Sequence, residues 1–385
     1  MTLEVQVLSR LAEIEPEAWD ALAPADNPFV HFHFLNGLEE SGSVGTPQTG
    51  WVPRHVVVKS DGRLVGALPL YEKYDSYGEY IFDWSWARAA TQAGIEYYPK
   101  LVSAVPFTPA SGPRLLLSTT DDPEPILQAL FSGLNAVYEQ TGASSIHVLF
   151  HTEEEQSAFQ EIGLASRLSH QFHWNRRPGW SNFDDYLSSM RASKRKQIRK
   201  ERRKAQSHGL KLEMVRGEDL NEEQWKALYI FYRQTCHHKG AIPYLNLDFF
   251  QYIQKHMAGS VMASLASLEE TTVAGSLFFH GAQNLFGRYW GCTEDFSHLH
   301  FELCYYLPIE WAFQNEIQKI EAGAQGEHKI SRGFDAAVCH SSHHMKHAGF
   351  WDAIQNFLKE EADGVTRTVE YYRTHSSFKN GQEED

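Results

Sequence analysis

Cysteine is scarce. The 385 residues hold four, Cys236, Cys292, Cys304 and Cys339, with no CxxC pair among them. Such scatter excludes a disulfide framework and a zinc ribbon. Long apolar runs are missing too: none approaches the ~18 residues that a membrane span requires. The opening Met-Thr-Leu-Glu-Val-Gln-Val-Leu has no basic start followed by an apolar run, so no secretory signal is read there. The expectation is a reduced, cytoplasmic protein. Positive charge is also short, 35 Lys and Arg against 49 Asp and Glu, giving a formal charge of −14. A chain this acidic repels nucleic acid and anionic membranes as a whole, so any anion it binds must meet a local basic patch.

Against these absences stand 42% apolar and 13% aromatic residues, a globular composition rich in large rings. The length exceeds one ordinary core, so two domains are expected. The first, over 1–155, reads as mixed α/β. Glu17 to Leu22, Phe34 to Glu40 and Pro125 to Gln140 look helical. His55 to Lys59 and Leu64 to Tyr71 read as a strand pair joined at the Asp61-Gly62 turn, and Ser145 to Phe150 as a short buried strand. The second domain, over 165–375, opens with strand-like Gln171 to Trp174. A long helix from Phe183 carries a basic run, and Trp225 to Cys236 makes a further helix. Val261 to Leu268, Thr272 to Phe279 and Leu285 to Gly291 form a β-meander. Phe301 to Ile320 reads as one long helix, and Trp351 to Glu361 closes the chain ahead of a polar tail that frays after Tyr372. The two orders of elements resemble each other without a residue-level repeat.

The segment from Glu321 to Phe334 sets a candidate base, a proton shuttle and two cations (Glu327, His328, Lys329 and Arg332) among small residues that let backbone approach a ligand. The competing reading is a solvated loop with ordinary ion pairs. The basic run is Arg191, Lys194, Arg195, Lys196, Arg199, Lys200, Arg202, Arg203 and Lys204, opposed by Glu201 alone. On a helix Arg191, Arg195, Arg199 and Arg202 form one stripe, either a phosphate contact or a solvated face pairing with acids. A strand over Phe286 to Gly291 puts Arg288 and Trp290 on one face and Tyr289 on the other. Arg288 then needs a partner: Glu302, Glu310 or a substrate anion. Glu302 and His300 stand at a helix N-terminus, reachable from a cleft. Aromatic, Gly- and Pro-rich loops from Tyr74 to Trp86 and from Tyr97 to Pro109 line either a pocket or a core, with Glu79 and Lys100 as their polar groups. Cys339, His343 and His347 would share a face if helical. Such a row spans about 12 Å, too long for one ion, so no metal is expected and His343 is read as a hydrogen-bonding or catalytic residue.

Several segments then match one family in order: Asn27-Pro-Phe-Val, Leu38-Glu-Glu-Ser-Gly, Pro69-Leu-Tyr, Ser76-Tyr-Gly-Glu-Tyr, Tyr97-Tyr-Pro-Lys-Leu, Gln171-Phe-His-Trp, Lys194-Arg-Lys-Gln-Ile-Arg-Lys-Glu-Arg, Gly287-Arg-Tyr-Trp-Gly, Leu299-His-Phe-Glu, Gly323-Ala-Gln-Gly-Glu-His-Lys and Arg332-Gly-Phe. Over almost its whole length the chain resembles the FemAB-like, predicted N-acyltransferase family of bacteria, also labelled peptidoglycan biosynthesis or recognition proteins. The resemblance implies an α/β (α+β) fold of two GNAT-like domains in tandem, each a mixed, mostly antiparallel sheet flanked by helices; the charged motifs put the active site in the C-terminal one, with the N-terminal half shaping the acceptor pocket. It also implies transfer of an acyl or aminoacyl group to an amine, with a peptidoglycan precursor as acceptor and aminoacyl-tRNA as donor. The Gln/Arg-x-x-Gly-x-Gly/Ala loop that holds acetyl-CoA in GNAT enzymes is not found, which leaves acyl-CoA as the alternative donor. The alternative class is a muropeptide- or tRNA-binding protein without catalysis.

In the transferase reading Glu327, Glu302 or His328 takes the amine's proton, and Lys329, Arg332 or Arg288 meets the oxyanion. Arg288, Tyr289, Trp290, Arg332, His343, Tyr77, Glu79 and Lys100 line the substrate site. Lys194, Arg195 and Arg199 hold donor phosphates, with tRNA reached through the basic helix. No fixed cofactor and no DNA partner are expected.

Overall fold

In chain order the first unit sets down β1 (Leu3–Leu8), α1 (Pro16–Asp20), α2 (Phe32–Glu40), β2 (Trp51–Pro53), β3 (His55–Ser60), β4 (Arg63–Leu68), β5 (Tyr71–Lys73), α3 (Trp84–Gln92), β6 (Lys100–Ser103), β7 (Leu116–Leu117), α4 (Pro123–Thr141), β8 (Ser145–His151) and α5 (Gln156–Glu161). The computed structural model describes residues 2–323 and 326–379. Strands β1, β3, β4 and β7 form an antiparallel sheet in that order. Asp61 and Gly62 turn β3 into β4 with φ of 48° and 82°, left-handed values that suit those residue types. A second sheet pairs β2 with β5 and β5 with β6 antiparallel, then β6 with β8 in parallel.

Helix α4 starts at Asp122, whose carboxylate accepts from Glu124 N–H. Its Ile126, Leu130, Leu134 and Val137 recur at helical spacing, so one face joins Val56, Val58, Val65 and Leu68 in a buried core with Ile146 and Val148 of β8. Each such side chain contributes roughly 1.5–3 kcal/mol through burial. Gly133 allows the close crossing, since a Cβ there would lie 2.4 Å from Val56.

The second unit takes β9 (Ala165–Asn175) from Gln171 onward, then α6 (Phe183–Ser189), α7 (Ala192–Gln206), β10 (Lys211–Arg216), α8 (Glu222–His238), α9 (Leu247–His256), β11 (Val261–Leu268), β12 (Thr271–His280), β13 (Asn284–Cys292), α10 (Leu299–Phe301), α11 (Leu307–Gln314) and β14 (Lys319–Glu321). Strands β10 to β13 are the expected antiparallel meander, β13 pairs β14 in parallel, and β14 pairs β9 antiparallel. The chain then returns to the first unit through β15 (Asp335–Met345), antiparallel to β8, and α12 (Ala348–Thr374). Met345, Ile354 and Leu358 pack there with Trp86, Ala90 and Tyr97. The first unit is therefore residues 1–170 with 338–367, and the second 171–337 with 368–385. This division differs from the expected 1–155 and 165–375 in giving residues 338–367 to the first unit. Each unit is a mixed, mostly antiparallel arrangement flanked by helices, as expected.

Four local expectations are corrected. The long helix from Phe183 is two helices, because Met190 is extended (φ −80°, ψ 158°) and wholly buried, and α7 begins only after it. The long helix from Phe301 is α10, a five-residue π turn over Glu302–Tyr306, and α11. Pro308 has no N–H for a regular ladder at that point, and Ile320 belongs to β14. The closing helix runs on to Thr374, and the tail past it is tucked in: Ser377 and Phe378 are buried and Arg191 N–H donates to Ser377 O at 3.0 Å. Cys339 and His343 lie on strand β15, not on a helix, and His347 caps α12 by accepting from Phe350 N–H at 3.2 Å.

Candidate functional site

In the second unit β13 and β14 pair only over Asn284–Phe286 with Lys319–Glu321. Strand β13 runs on to Cys292 without that neighbour, and its register against β12 slips between Leu277 and Phe278, so Arg288 is an extra residue there. Beside this stretch stand the π turn and a single 3-10 turn, Glu327–Arg332. Loosened turns of the π type recur at functional sites. Of the Glu321 to Phe334 segment, Ala324 and Gln325 lie outside the described residues.

A cluster of rings gathers at the two turns, with Phe301 5.4 Å from His300 and 5.9 Å from His328. Trp290 meets His300 at 5.1 Å, His300 meets His328 at 6.1 Å, and His328 Nε2 is 2.9 Å from the Tyr305 hydroxyl. The imidazole of His328 folds back over Gly326 (φ +115°), where a Cβ would come within 2.6 Å of it. Burial, then His328 and the nearby cations, pushes His300 down to about 3, and burial with those cations lowers His328, so both are neutral at pH 7. Lys329 is buried and donates to Gly323 O at 2.8 Å. Burial pulls its ammonium down to about 8, with the Cys304 thiol opposing and Lys239 adding to the shift. Glu327 is exposed and accepts from Tyr372 OH at 2.8 Å.

Behind the rings is a double ion pair. Glu201, the lone acid of the basic run, takes Arg332 Nη2 on both oxygens (3.0 and 2.9 Å) and the Tyr306 hydroxyl. Arg332 also donates to His328 O at 2.7 Å and lies 3.4 Å over the Phe301 ring. Arg202 binds Glu302 (2.8 Å) and Glu310 (2.7 Å), so the two acids expected for Arg288 are engaged elsewhere. The expected arginine stripe divides accordingly: Arg202 points inward, Arg195 donates to Met190 O at 2.8 Å, and Arg199 is exposed. Lys194 is half-buried, and the outer face of α7 is Lys196, Arg199, Lys200, Arg203 and Lys204. Tyr289 packs on Tyr232 at 4.7 Å, and Thr235 Oγ1 donates to Trp290 O at 2.5 Å.

The first unit gathers polar groups beneath its Tyr74 to Trp86 loop. Lys100 places its ammonium between Glu79, at 2.9 Å, and Asp83, to which the Tyr97 hydroxyl also donates at 2.7 Å. Burial pulls Lys100 down, but the two carboxylates outweigh it and hold the ammonium above its usual range. One lysine does not neutralise two buried acids. Burial therefore pushes Glu79 up to about 7 against the pull of Lys100, whereas at Asp83 the lysine outweighs burial and the carboxyl is held well down. Nearby His147 and His343 meet Nδ1 to Nδ1 at 2.7 Å, and burial keeps both neutral.

Glu79, Lys100 and His343, expected on a substrate surface, are thus enclosed, with exposures of 3%, 0% and 0%. Tyr77 is exposed, its ring 4.8 Å from Trp84. Among the described residues no group of three or more His, Cys, Asp or Glu could hold a metal ion. Likewise, no helix among them is long and apolar enough to cross a membrane.

Glu79 also yields a pH test. Its folded value of about 7 lies above the ordinary 4.5, so the stability its proton contributes is complete below about 4.5 and is lost as pH rises through 7. Glu79→Gln removes that slope. Between pH 5 and 8 the wild type is expected to lose on the order of 3 kcal/mol relative to the variant, read as diverging thermal midpoints; parallel midpoints would exclude a shifted Glu79.

The model of the FemAB-like family, described as peptidoglycan biosynthesis/recognition, matches residues 10–380. The chain belongs to that family. Similar solved structures are FemX (TM-score 0.55, 11% identity, 91% of this chain and 100% of that one) and L-PGS from Bacillus licheniformis (0.53, 10%, 86% and 93%). A conserved protein of unknown function from Bacteroides thetaiotaomicron is a third (0.50, 9%, 88% and 99%). At such identities the likeness speaks to the fold. No curated protein matches the chain.

In this FemAB-like fold of two units, sequence reasoning missed Tyr305, Asp83 and His147. Tyr305 and His147 carried no local signal, being marked only by partners distant in sequence. Asp83 was legible as the acid ahead of the Trp84-Ser-Trp86 helix start.

Proposed function

We propose that this FemAB-like protein forms amide bonds, moving an acyl or aminoacyl group from a phosphate-bearing carrier to an amine, with the chemistry in the second unit at His328 and Lys329. One observation carries the reading: a neutral, exposed imidazole bound to Tyr305 adjoins a buried lysine whose ammonium is pulled down to about 8. The attacking amine sheds a proton as its C–N bond forms, and His328 receives it. Lys329, while cationic, favours the negative oxygen of the tetrahedral intermediate. The carrier departs with the electrons of the broken C–O or C–S bond. Glu302 and Arg332, both buried in ion pairs, support the two turns, and Glu327 is the exposed carboxylate at the rim.

The outer cations of α7 suit a polyanionic carrier such as aminoacyl-tRNA, with acyl-CoA the second candidate. The family's description favours a muropeptide amine as acceptor.

The test supplies aminoacyl-tRNA or acetyl-CoA with a muropeptide bearing a free amine. Carrier release that requires the amine is expected. His328→Ala and Lys329→Met each lower kcat by about 10²–10³, and the wild-type rate falls as pH rises through about 8, where Lys329 loses its proton. Release indifferent to the acceptor, or to both substitutions in folded protein, would leave only a binding protein.

A further inference from the structure

One carboxylate of the second unit is only half satisfied. Glu321, 3% exposed, gives Oε1 to the Lys319 ammonium at 2.7 Å, while its buried Oε2 meets no hydrogen-bond donor among the described residues. His173 Nε2 stands 4.0 Å from Oε2, too far for a hydrogen bond, and lies 3.3 Å from Gln171 Oε1. Burial lowers His173 against the pull of Glu321, with Lys319 and Lys329 adding to the shift. The ring is therefore neutral at pH 7 and brings Glu321 no second counter-charge. Buried carboxylate oxygens without a donor are rare, because the hydration they lose is not replaced.

The place of this oxygen in the sheet is specific. Glu321 is the last residue of β14 and pairs with Phe286 on one side and His173 on the other, so the three share a face. Past this row β13 and β14 no longer pair, and each continues into a glycine nearby, Gly287 and Gly323. A Cβ on Gly323 would meet nothing nearer than Gly287 O, at 4.0 Å, among the described residues. The seam beyond Glu321 is thus bordered by backbone where side chains would otherwise crowd it. Gly323 O in turn accepts from Lys329 at 2.8 Å, which ties the seam to the lysine of the transfer site.

We propose that Glu321 Oε2 seats a primary ammonium where β13 and β14 part. An ammonium carries compact positive charge and three donors, which is what this oxygen lacks. A metal ion would want further ligands, and no group of three or more His, Cys, Asp or Glu able to hold one occurs among the described residues. The seat stands on the unpaired oxygen alone; its use rests on the transfer reading above, in which an amine is consumed. The ammonium belongs either to the acceptor or to the α-position of an aminoacyl donor. Glu321 selects the substrate by charge, and His328 remains the base.

Binding is read first, on the intact protein, with n-butylammonium and its uncharged counterpart n-butanol. The Glu321 carboxyl carbon NMR signal, assigned through Glu321→Gln, is expected to move with millimolar ammonium and to stay in place with the alcohol. Lys319→Met removes the competing cation from a partly exposed position and should tighten ammonium binding by about two- to fivefold. A purely structural Lys319–Glu321 pair predicts no such gain. A signal indifferent to the ammonium or moved equally by the alcohol overturns the proposal, as does Lys319→Met leaving the ammonium no tighter.

Turnover then tells the two sources apart. With a donor that has no free α-ammonium, acetyl-CoA or N-acetylated aminoacyl-tRNA, Glu321→Gln should raise KM for the amine at least about tenfold with little change in kcat. That result assigns the seat to the acceptor. A rise in KM confined to unblocked aminoacyl-tRNA assigns it to the donor. Unchanged KM for every substrate would overturn the seat and leave amide transfer standing. Ammonium-specific binding at Glu321 without amide formation from any donor would do the reverse.

Discussion

Glu201→Ala is expected to lower the thermal midpoint by about 10 °C. Glu201 is buried, and its carboxylate receives Arg332 at two contacts (2.9 and 3.0 Å), the Tyr306 hydroxyl and the Gln197 amide at 2.9 Å. Alanine leaves the guanidinium of Arg332, itself 3% exposed, with a carbonyl, a long contact to the Ser331 hydroxyl (3.4 Å) and a ring, but no counter-charge. Removing one partner of a buried pair costs about 3–5 kcal/mol, mostly because the other charge is stranded. For a unit of this size each kcal/mol is worth roughly 2–4 °C. Glu201→Ala with Arg332→Met strands neither charge, so most of the loss should return. A single-mutant loss under about 1 kcal/mol would be the figure for a surface pair, and would show that this pair is not buried in solution.

Lys100→Met is expected to have a comparable effect in the first unit, with a pH signature of its own. The fully buried lysine is the cation between Glu79 and Asp83. Without it both acids lose the interaction that favours their ionised forms, and burial drives their pKa values upward. The folded variant then binds more protons than its unfolded chain. Its deficit grows as pH rises and shrinks toward pH 5, where both acids can be neutral. Near pH 7 the loss should be about 3–5 kcal/mol. Adding Glu79→Gln and Asp83→Asn should restore most of it and flatten the pH dependence, as followed by circular dichroism. A deficit that stayed constant from pH 5 to 8 would mean that these acids do not titrate with the fold.

Much of this was visible in the chain. The β3–β4 hairpin, α4 and the β10–β13 region announced themselves because turn residues and apolar periodicity are local properties, and here tertiary packing agrees with them. The basic run was legible as helix, but not which of its faces looks inward. Ile198, Glu201 and Ala205 are buried, a stripe that the density of cations around it hides. The π turn was opaque because Leu303 to Phe313 is apolar enough to pass for a continuous helix, and the insertion is fixed by packing.

At the candidate site the residue types near 327 were read from sequence, yet the partition into working and supporting groups was not. Arg332 and Glu302 look as reactive as His328 on paper, and only their distant partners, Glu201 and Arg202, show them to be held. Lys100 and Glu79 were singled out as polar groups of an aromatic loop, but Asp83, which sets their charge balance, entered only with the structure.

The return of β15 and α12 has a consequence for how the molecule is made. Residues 171–337 are spliced into the first unit's sequence, so β8 waits for its antiparallel neighbour until the ribosome has finished nearly everything else. During that interval Trp86, Ala90 and Tyr97 lack Met345, Ile354 and Leu358, and an apolar patch stays open to solvent. The inserted block carries its own meander, whose neighbours are adjacent in sequence and can close early. A nascent chain stalled before Val338 therefore offers a bare strand edge, the kind of surface that chaperones hold and aggregates recruit.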